Sequence, residues 1–213
     1  MNIALIGASG FVGSAVLREA LDRGHQVTAI VRHPEKIRAE DNLKVSRGDV
    51  HDSAHLTRLI TGHDAVISAF SPGWGDLDIY QEQIKGTQSI LASIRAAKIT
   101  RVLWVGGAGS LEVMPGLLVM DTPGFPPHIR AASLATAEAL TALRKESSLD
   151  WSFLCPTGKL DAGQRTGKFR LGKDQPLVDE NGESRITVED YAVAFIDELE
   201  NPEHIRERFT VGY

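Results

Sequence analysis

The chain has 213 residues, 42% of them apolar and 24% charged, with a net charge of −5; this allows one substantial core, gives no sign of disorder, and lacks the basic stripe that nucleic-acid binders use to displace counterions. Cys155 is the single cysteine, so no intramolecular disulfide is expected and a reducing, cytoplasmic setting fits. No apolar run approaches the ~20 residues of a membrane helix, and the first residues reach glycines too soon for a signal peptide.

Residues 3–6 are apolar without a break, the pattern of a strand buried on both faces. Residues 13–23 predict a helix, with Val16, Leu17, Ala20 and Leu21 on one side and Gly24 as its stop. A second strand is expected over 26–31 and a short third over 44–46. A helix capped by Ser53 then buries Leu56, Leu59 and Ile60 and stops at Gly62. Residues 65–69 read as a fourth strand and 101–105 as a fifth. Between them, 79–97 is a long amphipathic helix with Ile84, Thr87, Leu91 and Ile94 at helical spacing. A helix over 131–145, a strand over 151–154, a helix capped by Thr187 and carrying Tyr191, Phe195 and Leu199, and a short strand over 209–211 complete the order.

This alternation predicts an α/β architecture: a Rossmann-type, doubly wound parallel sheet flanked by helices, one domain spanning residues 1–213. Two stretches break the pattern. Residues 111–130 are rich in Pro and Gly, and residues 161–184 are polar and Gly-rich. Both are expected as long loops over a substrate cleft, because ligands of open α/β sheets sit beyond the carboxyl ends of the strands.

The most specific motif is Gly7-Ala8-Ser9-Gly10-Phe11-Val12-Gly13, between the first strand and the first helix. Gly7 suits a tight turn, Gly10 lets backbone approach a pyrophosphate, and Gly13 allows close packing of helix on strand. The second strand runs into Arg32, where an NAD enzyme usually carries a carboxylate for the ribose 2′-hydroxyl. An arginine there suits a 2′-phosphate, so NADP(H) is preferred over NAD(H), with His33, Lys36 and Arg38 as lesser aids. Asp49 and Val50, after the third strand, are candidates for the adenine edge, although Asp49 reads equally as a turn residue. Ser68, Ala69 and Phe70 end the fourth strand, where the nicotinamide ribose is expected.

Together with residues 48–50, 105–111 and 184–192, the glycine motif resembles the atypical short-chain dehydrogenase/reductases. The similarity is to the NAD(P)H-binding or NADH-flavin reductase group, relatives of biliverdin reductase B and of NmrA-like proteins. It implies the Rossmann fold and a nicotinamide cofactor across nearly the whole chain, and says less about substrate. One departure matters. The larger family uses a Tyr with a Lys four residues later, but Tyr80 is followed at that spacing by Ile84, Tyr191 by Phe195, and Tyr213 is last.

Hydride transfer to a flavin or quinone needs less from the protein than carbonyl chemistry does, since ring alignment does most of the work and solvent can supply the proton. The expected function is therefore an NADPH-dependent reductase of a planar acceptor, with FMN or FAD as possible substrates. A non-catalytic NADP-binding sensor and an epimerase-like isomerase are the alternatives. Ser71, Trp74, Gly109, Met120, Phe125 and Pro126 are candidate pocket residues, and Ser110 and His128 candidate catalytic ones, each also readable as an ordinary loop residue. His51 and His55 have metal-like spacing, but His51 falls before the helix start, so no metal site is expected. Cys155 reads as a buried structural thiol. Neither a nucleic-acid nor a membrane partner is expected, and monomer and homodimer stay open.

Overall fold

The computed structural model describes residues 1–73 and 77–213. Its first half runs β1 (Asn2–Ile6), α1 (Phe11–Asp22), β2 (Gln26–Val31), β3 (Leu43–Arg47), α2 (Ser53–Ile60), β4 (Ala65–Ser68), α3 (Ile79–Ala96) and β5 (Arg101–Val105). The second half runs β6 (Glu112–Met114), β7 (Leu117–Leu118), α4 (Pro127–Leu143), β8 (Asp150–Pro156), β9 (Lys159–Asp161), β10 (Arg170–Gly172), β11 (Arg185–Thr187), α5 (Val188–Glu200) and β12 (Glu207–Gly212). The architecture is the doubly wound α/β sheet that the alternation implies.

The main sheet has the order β10-β12-β8-β5-β4-β1-β2-β3. Every neighbouring pair is parallel except β10 with β12. Strands buried on both faces explain the near-continuous apolar runs. One face packs Val16, Leu17 and Ala20 of α1 and Tyr191, Phe195 and Ile196 of α5. The other packs Leu56 and Ile60 of α2, Ile90 and Ile94 of α3, and Ala139 and Leu143 of α4. Chain order reverses between β1 and β4, which opens a crevice at their carboxyl ends.

The structure corrects several local expectations. Asp52, not Ser53, caps α2: its carboxylate accepts from the His55 N–H at 2.9 Å, and Ser53 is the first helical residue. Thr187 does cap α5, accepting from Asp190 N–H at 3.2 Å. α4 begins four residues before the expected start, with prolines at its entry that need donate no hydrogen bond there. Residues 111–130 contain the β6–β7 hairpin, and residues 161–184 contain the antiparallel edge strand β10.

Candidate functional site

A cleft of about 370 Å³ lies at the switch point. Its floor is the glycine turn. Gly7 has φ +83°, and its N–H donates to the Ile30 carbonyl at 3.1 Å, tying the turn to β2. The Gly10 N–H donates back to the Gly7 carbonyl at 3.0 Å. α1 starts directly after, with no side-chain cap and no acidic residue in its first turn. Its N–H groups and positive dipole end are thus left for an anion. Ser9, Gly10 and Phe11 line the cleft, and Phe11 is 54% exposed. Ala8 and Gly13 lie buried beneath it, and Val12 packs into the core.

One side of the cleft is basic. Arg32, at the end of β2, is exposed and donates through Nη2 to the Pro72 carbonyl at 3.3 Å across the crevice. Lys36 lines the same wall; its backbone N–H donates to the His33 carbonyl at 3.2 Å, and its ammonium makes no hydrogen bond or ion pair among the described residues. His33 is paired with Glu35 at 3.2 Å.

Another part of the lining is acidic and aromatic. Asp49 accepts from the His51 N–H at 3.0 Å, so it is a turn residue that also lines the cleft. Val50 is buried beside it. His51 Nε2 lies 3.2 Å from the Glu82 carboxylate. Lys85, 2.8 Å from Glu82, holds that carboxyl below its ordinary range. The His51 ring meets Phe70 edge to face, with centroids 6.3 Å apart. Phe70 presses on Gly86, where a Cβ would come within 2.2 Å of its ring. Ala69, Phe70 and Ser71 line this part of the wall.

Other sequence candidates fall elsewhere. Ser68 is 1% exposed, and alternation along β4 puts it on the α3 face with Val66, so its hydroxyl does not reach the cleft. Ser110 is 3% exposed; its hydroxyl donates to the Gly107 carbonyl at 2.8 Å and lies 3.6 Å from Cys155 Sγ. It is therefore not an open catalytic hydroxyl. Met120 is buried in a short 3-10 turn, with its carbonyl held by Arg130, and is a core residue rather than a pocket wall. Phe125 sits half-buried against Gly109, and Pro126 is exposed at the entry to α4. His128 is exposed in the first turn of α4 and is absent from the cleft lining. Trp74 lies outside the described residues.

Each tyrosine hydroxyl is already engaged. Tyr191 donates to the Leu154 carbonyl at 2.7 Å in the core, Tyr213 donates to Asp190 at 2.7 Å, and Tyr80 donates to Glu138. Burial pushes the Cys155 thiol up to about 11. The sequence reading missed Glu82 as a cleft residue and weighed His51 only as a metal ligand. No local pattern ties residue 51 to residue 82; only the docking of α3 against the end of β4 brings them together.

A model of an NAD(P)H-binding family matches residues 7–199. The chain belongs to that family. The Bacillus subtilis protein YwnB is 41% identical over 99% of this chain and 98% of its own length. A Bacteroides thetaiotaomicron structure, provisionally named an epimerase, is 51% identical, with a TM-score of 0.93 over 100% of this chain and 96% of that one. A Streptococcus pneumoniae structure, provisionally named an NADH-flavin reductase, is 35% identical, with a TM-score of 0.88 over 100% of this chain and 99% of that one. An NAD(P)H-binding oxidoreductase-type fold thus accounts for the glycine turn and the crevice beside it. Among the described residues no helix is long and apolar enough to cross a membrane.

Proposed function

We propose that the chain is an NADPH-dependent reductase of a flavin, a quinone or a similar planar acceptor, working by direct hydride transfer in a reducing, cytoplasmic setting. The observation that carries the cofactor choice is the basic wall: Arg32 and Lys36 stand beside the end of β2, where a 2′-hydroxyl reader would be a carboxylate. Glu35, the nearby acid, is turned to His33 instead. The Gly7–Gly13 turn and the open end of α1 would hold the pyrophosphate. Asp49 and Val50 would receive the adenine end, and Ala69 and Phe70 would face the nicotinamide ribose.

A bound nicotinamide supplies the hydride. The protein's own part is to bind and align. No tyrosine–lysine pair is present in the sequence, the tyrosine hydroxyls are bonded elsewhere, and Ser110 faces inward. An acceptor that takes its proton from solvent fits such a site better than one needing a positioned acid. Phe11, Ser71, Gly109, Phe125 and Pro126 are the residues we assign to the acceptor side. The name of the S. pneumoniae relative agrees with this reading. The absence of a tyrosine–lysine pair from the sequence also favours a second reading, a sensor that binds NADPH without turnover.

The test is loss of NADPH absorbance with FMN, FAD, riboflavin and a quinone offered in turn, and NADH run in parallel. Acceptor-dependent turnover with NADPH preferred is the expected result. Tight NADPH binding with no turnover on any acceptor would overturn the reductase and leave the sensor.

A further inference from the structure

The carboxyl end of β5 and the two long irregular stretches meet on one side chain. Arg208 lies on β12 opposite Phe153 of β8, and its side chain is 3% exposed. Its guanidinium divides its donors among three segments. Nη1 donates to the Ser110 carbonyl at 2.5 Å. Nε donates to the Asp174 carboxylate at 2.8 Å, and Nη2 adds a second bond to the same oxygen. Nη2 also reaches Glu112 at 3.3 Å. A backbone bond runs alongside, from Glu112 N–H to the Asp174 carbonyl at 2.8 Å. Ser110 in turn donates its hydroxyl to the carbonyl of Gly107, which lies two residues past the end of β5 and starts the turn. A buried guanidinium is tolerated only when its donors are met, and only the planar fork of arginine can serve three acceptors in these directions.

We propose that Arg208 is a positioning residue for the acceptor side of the site: it clamps the β6–β7 hairpin and the segment around Asp174 onto the turn at residues 107–110. Arg208 does not line the cleft, and its hydrogen bonds go to Ser110, Glu112 and Asp174 rather than to the glycine turn. Its effect passes through Ser110 and Gly107. The word acceptor rests on the reductase reading above; the clamp itself does not.

Cys155 provides a reporter for the clamp. It is the only thiol in the chain, fully buried, and packed under Ser110. With its pKa near 11 it is protonated at neutral pH and screened from a thiol reagent unless the turn opens. The experiment compares wild type, Arg208→Lys and Asp174→Asn for labelling of Cys155 by an aromatic disulfide, NADPH affinity, and KM and kcat for whichever acceptor turns over. The lysine variant keeps the charge and loses the fork. The Asp174 side chain is 54% exposed, so its replacement leaves a folded protein for the test if Arg208→Lys does not fold.

Labelling is expected to rise at least about tenfold, the scale of one lost charge-assisted hydrogen bond. NADPH affinity should stay within about twofold, as for a distant site, and the acceptor KM should rise by more than kcat falls. Labelling at the wild-type rate would overturn the clamp. Faster labelling with an equal loss of NADPH affinity would also overturn it, as a general loosening. If wild type turns over no acceptor, faster labelling with normal NADPH affinity still supports the clamp, and only the reductase reading fails.

Discussion

Gly13 shows how little room the glycine turn has. A Cβ there would lie 2.1 Å from the Gly7 carbonyl oxygen and 2.9 Å from its carbon, both of them backbone atoms that cannot swing aside. Gly24 is a useful contrast: its φ is +78°, yet nothing lies within 4 Å of its Cβ position. Gly13→Ala should therefore cost about 3 kcal/mol or more, the upper range for overpacking, and lower Tm by roughly 6–12 °C for a chain of this size. NADPH binding should be lost with it. Gly24→Ala should cost about 1–2 kcal/mol for its left-handed backbone and leave NADPH binding intact. Thermal unfolding and a binding titration on both variants check this; equal binding by Gly13→Ala and wild type would contradict the geometry. These roles were legible in the sequence because they depend on backbone and on neighbours a few residues away. The burial of Met120 was not, because an apolar residue in a Pro- and Gly-rich stretch reads equally as wall or core. Ser110 stayed open between a catalytic and a turn hydroxyl for a similar reason: its partners, Gly107 and Cys155, are set by the turn's conformation.

Three buried carboxylates tie α1 and α5 to the segments around them. Glu19 on α1 is held by Arg165, at 2.7 Å and 2.8 Å, and by Arg23 at 2.7 Å. The Arg165 bonds, aided by Arg23, pull its carboxyl below the ordinary 4.5 against the cost of burial. For Asp190, burial pushes the other way, but donors from Thr166, Gly167 and Tyr213 outweigh it and hold the group below 3.8. Burial likewise opposes ionisation of Glu198, and bonds from Ser152, His204 and the Glu203 N–H outweigh it. A depressed folded pKa gives stability that is fully present above the unfolded value and lost as the pH falls through the folded one. The urea midpoint should therefore fall as the pH drops below 4.5 and onward through 3.8, and Asp190→Asn should flatten part of that fall. A midpoint unchanged down to about pH 3 would contradict this assignment. At this scale, helices and parallel strands were legible from apolar periodicity. β10 was not, because Arg170-Leu171-Gly172 is too short and too mixed to show a period, and only its pairing with β12 makes it a strand.

Across the whole molecule, the fold puts its chemistry where the sheet changes direction. Two apolar layers fix the strands from either side, and the crevice between β1 and β4 is lined by a basic wall and by an acidic, aromatic one. The basic wall was foreseeable from Arg32 following an apolar strand. The Arg208 clamp was not, because its partners are 34, 96 and 98 residues away in sequence. The central claim is that this crevice selects NADPH by its 2′-phosphate. The most direct measurement is a titration of NADPH and NADH into wild type and Arg32→Ala. We expect wild type to favour NADPH, and the variant to lose about ten- to a hundredfold of NADPH affinity, the worth of one charged hydrogen bond, with NADH nearly unchanged. Equal loss for both cofactors, or a wild type that binds NADH as tightly as NADPH, would contradict the account.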